Sequence, residues 1–339
     1  MKKRLLHTLK MLFEHKALVL MYHRVAVPDA DIWDIAVSPE NFEQQLQFLQ
    51  KKGNVIPLSE LVKGVADGKL PKNVVAITFD DGYADNFLTA KPLLEKYRLP
   101  ATFFIASGNT DTEAEFWWDE LEHTLLFAPV LPQTYTNMPG EPAYTFDLQH
   151  ETQLTPAMQR VHCHWDACAE APPTLRARLF YALWQQLKPL PHQAQQHLLQ
   201  HIRNWAGWAY AARPHYKAMT AQQLRQLSQS PLFEIGAHTV THAALAFHAK
   251  AVQVQELCEN KQQLEAITGT EVPLLAYPYG NYNHETKAAA AEAGFTAAMT
   301  TEEKALRKQS HLYTLGRMQV KNRSGHDFAA QLGTWLNKR

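Results

Sequence analysis

Val74-Val75-Ala76-Ile77-Thr78-Phe79-Asp80-Asp81-Gly82-Tyr83 is the stretch around which the rest of the chain can be arranged. Its first six residues are apolar or β-branched, the composition of a strand covered on both faces. The run stops on two adjacent carboxylates and a glycine, and a helical pattern follows from about Ala84 to Tyr97. Two neighbouring acids repel each other, and burying either without a partner is costly. Successive side chains at a strand end diverge, so one could hold a cation while its neighbour handles a proton. Taken alone, the pair is explained equally well as a helix N-terminus, where capping and the helix dipole favour Asp.

Two further strand ends bear on that choice. Phe233-Glu234-Ile235-Gly236-Ala237 reads as a short strand that runs into His238-Thr239-Val240-Thr241-His242. Histidines four apart converge on one ion where the segment turns helically. A third strand, Pro273-Leu274-Leu275-Ala276-Tyr277, ends in Pro278-Tyr279-Gly280. Three strand ends carrying polar or turn chemistry suggest one face of an α/β barrel.

In order, spacing and strand context, Thr78-Phe79-Asp80-Asp81-Gly82, His238-x-x-x-His242 and Tyr277-Pro278-Tyr279-Gly280 resemble the first three motifs of the polysaccharide deacetylases, the NodB-homology group of carbohydrate esterase family 4. The resemblance covers residues 17–120 and 218–337. It implies an α/β fold, a distorted (β/α)7-type barrel with a mainly helical insertion. It also implies a metal-dependent hydrolase that removes the N-acetyl group from an N-acetylated sugar of a polysaccharide or glycan precursor. Position by position it implies Asp81, His238 and His242 as ligands of a divalent metal and Asp80 as the general base. Such an O/N/N donor set with open positions suits Zn²⁺ best, with Co²⁺, Ni²⁺, Mn²⁺ or Fe²⁺ as other occupants. The backbone N–H of Tyr279 is implied as a donor to the oxyanion of the tetrahedral intermediate.

The chain departs from the commoner members at two places. Ala276 stands where they carry an Arg, and Leu315-Gly316-Arg317-Met318-Gln319-Val320 lacks their Leu-x-His motif. A subgroup with circularly permuted motifs carries a Tyr-His pair on its first strand, and Tyr22-His23 matches it. That likeness implies His23 as the general acid and Arg317 as the residue that orients Asp80. A hydrogen-bonded core histidine and a structural salt bridge are the plainer alternatives.

The remaining sequence fits one domain over residues 1–339. An apolar fraction of 46% is ample for a sizeable core. Lys+Arg and Asp+Glu balance at 33 each, so no polyanion such as nucleic acid is favoured. Three cysteines in so long a chain argue against a disulfide framework and fit a reducing, cytoplasmic setting. Met1-Lys2-Lys3-Arg4-Leu5-Leu6 opens like a signal peptide, but His7, Lys10, Glu14, His15 and Lys16 interrupt the apolar run. Leu5, Leu6, Leu9, Leu12 and Phe13 could form a basic amphipathic helix with weak contact to a membrane surface, or one that packs on its own domain.

Strands are expected at Ala17–Tyr22, Val55–Pro57, Ala101–Ala106, Phe295–Thr300 and Leu312–Val320. Helices are expected after Ser38-Pro39-Glu40 (closed by Gly53), over Ser59–Val65, from Ala251 to Gly269, over His284–Ala293 and around Phe328, Leu332, Trp335 and Leu336. The alternation stops between residues 108 and 232, where helices near 117, 174–187, 192–206 and 220–228 and a turn-rich stretch over Pro129–Asp147 suggest an insertion. Such insertions often build substrate walls, though a structural cap fits as well. Within it, His162-Cys163-His164-Trp165-Asp166-Ala167-Cys168 matches no standard zinc spacing and reads as ordinary helix or loop. Trp117 and Trp118 read as core residues rather than sugar contacts.

Three functions remain in view. The first is a cytoplasmic N-deacetylase of a surface-glycan precursor, with an N-acetylated carbohydrate as its partner. The second is an amidohydrolase of the same chemistry on a non-sugar amide, and the third a noncatalytic glycan-binding relative, against which stand Asp80, Asp81, His238 and His242 together.

Overall fold

Strand parity explains the architecture. In a computed structural model describing residues 16–52, 54–138, 144–207 and 210–337, eight strands form one sheet. They are β1 (Ala17–Tyr22), β2 (Asn54–Val55), β3 (Val74–Phe79), β4 (Ala101–Ile105), β5 (Phe233–Ala237), β6 (Leu274–Ala276), β7 (Ala297–Met299) and β8 (Met318–Gln319). All pairings between them are parallel, in the order β7-β6-β5-β4-β3-β1-β8, with β2 beside the start of β3. Leu315 pairs with Met299 on one edge, and Met318 three residues later pairs with Leu20 on the other. The stretch Leu315–Gln319 thus joins the two edges and curls the sheet into the distorted barrel.

Alternate residues face opposite ways, so every strand must be apolar on both sides. On β3, Val75, Ile77 and Phe79 face the surrounding helices, where Phe79 lies between the rings of Tyr22, Phe42 and Phe103. Val74 and Ala76 face inward with Ala17, Val19, Phe104, Ala276, Ala297 and Met299. Small residues dominate this interior because a ring of seven strands encloses little volume. Gly236 is part of that economy, since a Cβ there would lie 2.4 Å from the Phe104 ring. The next inward positions are Thr78 on β3 and Asp80 just past its end, so the parity that fills the barrel carries Asp80 into its mouth.

The helices fall close to expectation: Pro39–Lys52, Leu58–Ala66, Lys250–Thr268 with Gly269 left-handed after it, His284–Glu292 and Gly325–Asn337. Gly53 and the N-terminal basic stretch lie outside the described residues. Two expectations change. The helix after β3 begins as a π-helical turn over Asn86–Ala90 before Lys91–Tyr97 becomes α-helical. The last strand shortens to Met318–Gln319, because Leu312–Thr314 forms a 3₁₀ turn instead.

β4 and β5 are neighbours in the sheet, yet more than a hundred residues separate them in the chain. Those residues build helices Trp117–Phe127, Pro156–His164, Leu175–Leu187, His192–Ala206 and Ala221–Ser228 and an antiparallel hairpin, Thr134–Thr136 with Thr145–Asp147. They pack around their own apolar cluster, which includes Leu121, Leu125, Phe180, Leu183, Leu187 and Leu198. The insertion returns over the barrel mouth: Met219 N–H donates to the Gly82 carbonyl and Ala84 N–H to that of Lys217.

Candidate metal and acid–base site

The Asp80-Asp81-Gly82 turn separates the two carboxylates. Asp80 N–H donates to the Tyr22 carbonyl on β1, and Gly82 N–H turns back to the Asp80 carbonyl. Asp81 takes φ 71° and Gly82 φ 90°. A left-handed aspartate costs of order 1 kcal/mol and persists only where its surroundings insist on it. Neither acid caps the helix that follows, and Asp85 at its start does not either: its carboxylate pairs with Arg24 at 3.1 Å and accepts from Val25 N–H.

Asp80 points to Arg317. Both carboxylate oxygens accept from the guanidinium at 2.6 Å, and both side chains are buried. Arg317 also donates to the Thr300 carbonyl and to Thr78 Oγ1. Burial pushes the Asp80 carboxyl up most strongly, but the Arg317 charge and hydrogen bonds, with His238 and His23, together hold the group below the usual carboxylate range.

Asp81 points the other way. His238 Nε2 and His242 Nε2 stand 3.4 and 3.2 Å from Asp81 Oδ1. The three ligand atoms lie within 4.8 Å of one another and all three residues are buried. The histidines do not converge through a helical turn as expected. Residues 238–244 form a loop in which Thr239 and His242 are left-handed, at φ 64° and 55°. The neighbouring helix holds that loop: Glu256 accepts from Val240 N–H, Thr241 N–H and Thr241 Oγ1–H, and Asn260 accepts from His238 N–H.

The donor set fits a cation. His238 Nδ1 lies 2.7 Å from the Ala276 carbonyl, which places the proton on Nδ1 and leaves the Nε2 lone pair facing Asp81. Burial lowers the pKa of His242, which favours its neutral form, and its Nδ1 has no hydrogen-bond partner among the described residues. A carboxylate oxygen between two imidazole nitrogens is unfavourable without a positive charge among them, and a divalent ion supplies it.

Of the other expected residues, His23 follows β1 directly and is half-buried. Its charge reaches both Asp80 and Asp81, lowering the pKa of each, and its carbonyl accepts from Asn86 Nδ2 at 2.7 Å. Tyr279 takes φ 58° just past β6, and its ring lies 4.5 Å from that of His242. Thus Asp80, Asp81, His238, His242, Arg317, His23 and Tyr279 all gather at one end of the barrel. The His162–Cys168 stretch does not join them. His162 Nδ1 bonds the Leu126 carbonyl and its Nε2 bonds Thr174 Oγ1, so neither nitrogen is available to a metal.

Sequence reasoning missed the support around these groups. Trp118 packs its ring 4.5 Å from that of His242 and donates to Tyr83 Oη, which donates to Asp119 Oδ2. Arg24 lies between the rings of Tyr83 and Tyr216, at 4.6 and 4.2 Å. No spacing signals this network, because Tyr83, Trp118 and Tyr216 belong to different segments. Only Arg24, Asp85 and Asn86 were within reach of inspection, as polar residues beside Tyr22-His23 and the Asp pair.

A parallel barrel whose strand ends present a carboxylate and two histidines beside an arginine-bound aspartate is the frame of a hydrolase. The sequence model of polysaccharide deacetylases matches residues 67–160 and 194–298, well over half of the chain. The chain belongs to the polysaccharide deacetylase family, and it is a hydrolase of the N-deacetylase class. It is 21% identical over 317 residues to YxkH of Bacillus subtilis (strain 168), covering 93% of this chain and 75% of that one. It is 34% identical over 113 residues to the poly-beta-1,6-N-acetyl-D-glucosamine N-deacetylase of Staphylococcus aureus (strain N315), covering 30% of this chain and only 39% of that relative. Among solved structures the fold is similar to the Streptococcus pyogenes deacetylase PplD in complex with acetate, with TM-score 0.59, 20% identity and coverage of 94% and 99%. IcaB from Ammonifex degensii is similar at TM-score 0.58, with 18% identity and coverage of 95% and 97%.

Proposed function

We propose that this chain removes the N-acetyl group from an N-acetylated sugar of a polysaccharide or glycan precursor. The observation that carries the reading is the divergence of Asp80 and Asp81, one bound to Arg317 and the other facing His238 and His242. Asp81, His238 and His242 would hold a divalent metal, for which Zn²⁺ suits the donors best. Bound there, such an ion supplies Lewis-acid polarisation of the amide carbonyl and acidification of water.

The chain's own residues divide the rest. Arg317 keeps Asp80 ionised at neutral pH, so Asp80 is ready to take a proton from the attacking water; the same charge lowers its basicity. Tyr279 offers its backbone N–H to the developing oxyanion. His23, directly after the strand beside β3, gives a proton to the departing amine. We place the protein in the cytoplasm, with its three free cysteines supporting a reducing setting. Among the described residues no helix is long and apolar enough to cross a membrane.

Acetate release from N-acetylated oligosaccharides tests the reading, together with metal analysis of wild type, His238→Ala and His242→Ala. The expected result is about one divalent metal per wild-type chain, lost in both variants. Full occupancy in both would sink the ligand assignment.

A further inference from the structure

Lys188 follows the helix Leu175–Leu187, and its N–H donates to the Trp184 carbonyl. A lysine at a helix C-terminus is ordinarily explained by the dipole, which a fully hydrated ammonium satisfies well. Here the side chain instead folds over two rings. Its Nζ lies 4.8 Å from the Trp184 ring centroid and 4.4 Å from that of Tyr279. It is half-buried, and burial lowers its pKa. Among the described residues no carboxylate lies within ion-pair distance of it, and the only resolved influence on it is burial.

The place matters as much as the missing partner. The Tyr279 ring is 4.5 Å from that of His242, so one aromatic ring separates the ammonium from a proposed metal ligand. Trp184 is half-buried, 4.8 Å from Trp33 and 6.2 Å from Tyr279, and all three keep part of their surface open. A sugar ring stacks on such an aromatic face, and a cation beside it reads what the sugar carries.

We infer that Lys188 is a specificity determinant: its ammonium receives an anionic group, carboxylate or phosphate, on the substrate near the N-acetyl sugar, while Trp184 stacks on the sugar ring. This rests on the deacetylase reading above. It narrows the substrate class to acidic or phosphorylated N-acetylated glycans.

Calorimetric titration of the zinc-loaded full chain tests it. The probes are N-acetylglucosamine, N-acetylglucosamine 1-phosphate, a disaccharide joining N-acetylglucosamine to a uronic acid, and inorganic phosphate. Wild type should bind at least one anionic sugar on the order of tenfold tighter than the neutral one. Lys188→Gln should abolish that gap with neutral-sugar affinity and metal content unchanged, and Lys188→Arg should restore part of it. The phosphate and uronate arms identify which anion is read. Equal affinity for all probes, or none measurable, overturns the inference. So does a gap that survives in Lys188→Gln, which would assign the anion to the metal. Acetate release by wild type is measured separately. Acetate without a Lys188-dependent gap defeats the inference alone, whereas a Lys188-dependent gap without acetate from any probe upholds it and defeats the deacetylase reading.

Discussion

Asp80 and Asp81 differ in environment far more than adjacent residues usually do, and each difference has a measurable consequence. Asp80→Asn keeps the shape but removes the proton acceptor, so kcat should fall by roughly 10²–10⁴-fold with metal content unchanged. Near-normal turnover would make Asp80 a support for Arg317 rather than a base. Arg317→Met strands a buried carboxylate, and urea unfolding near neutral pH should show a loss of roughly 3–5 kcal/mol. The pH dependence has a definite sign. In the wild type the folded pKa of Asp80 is depressed, so the pair's stabilisation is present above the unfolded value and fades as pH falls through the folded one. Without Arg317 burial is opposed only by the more weakly acting His238 and His23, so the Asp80 pKa rises and the acidic limb of the kcat profile should move to higher pH. His23→Ala should lower amide turnover strongly and remove the alkaline limb, while activated aryl acetates, whose leaving group needs no proton, recover in part. Equal loss on both substrates would show His23 to be structural.

At the scale of elements, the helix Trp117–Phe127 carries more buried acid than its partners neutralise. Glu115 just before it, with Glu122 on it, shares Arg213, at 2.8 and 3.3 Å. Burial pushes Asp119 up to about 7 and Glu122 up to about 8, against the opposing pull of Arg24 and Arg213. Folded values above the unfolded ones mean that stability is full below about pH 4 and declines as pH rises through 7 to 8. Thermal melts from pH 5 to 9 should therefore fall on the alkaline side, and Glu122→Gln should flatten that fall. An unchanged slope in Glu122→Gln would mean that the carboxylate is already ionised and paired. The long helix Lys250–Thr268 acts differently, through Glu256 and Asn260, which hold the loop between the two histidines. Glu256→Gln should weaken metal affinity by about 10–100-fold, as loss of a supporting contact does elsewhere, without touching a ligand.

At the scale of the molecule, the proposed metal site ties together strands distant in sequence, because Asp81 follows β3 while His238 and His242 follow β5. A ligand bound only by the folded chain stabilises it by mass action, about 4 kcal/mol at a thousandfold excess over Kd. Adding Zn²⁺ to metal-stripped protein should raise Tm by several degrees, and His238→Ala should abolish the rise. A similar rise in that variant would place the stabilising ion elsewhere. The insertion shares in this closure, since the contacts of Met219 with Gly82 and of Arg24 with Tyr216 fasten it to the motif loop.

The sequence by itself determined the parallel barrel and the residues at its mouth. Buried strands such as β1 and β3 must be apolar on both faces, and the abrupt change to Asp80-Asp81-Gly82 marks where one reaches the barrel mouth. It also specified four of the five insertion helices, because Thr174 and Thr220 cap two of them and apolar spacing does the rest, whereas Pro156–His164, capped by Thr155, was not expected. What it could not contain was any contact made by the curling of the sheet. Arg317 reaches Asp80 only because β8 closes against β1, some 240 residues from β3 in the chain. The histidines meet at Asp81 through left-handed loop residues, not the helical turn that their spacing suggests. Trp118, Tyr83 and Asp119 form a chain behind His242, and Lys188 folds over Tyr279, only once the insertion packs onto the barrel. Local patterns set elements because backbone hydrogen bonds and strand parity act over a few residues. Side-chain pairing across the barrel mouth depends on closure, which no local pattern records.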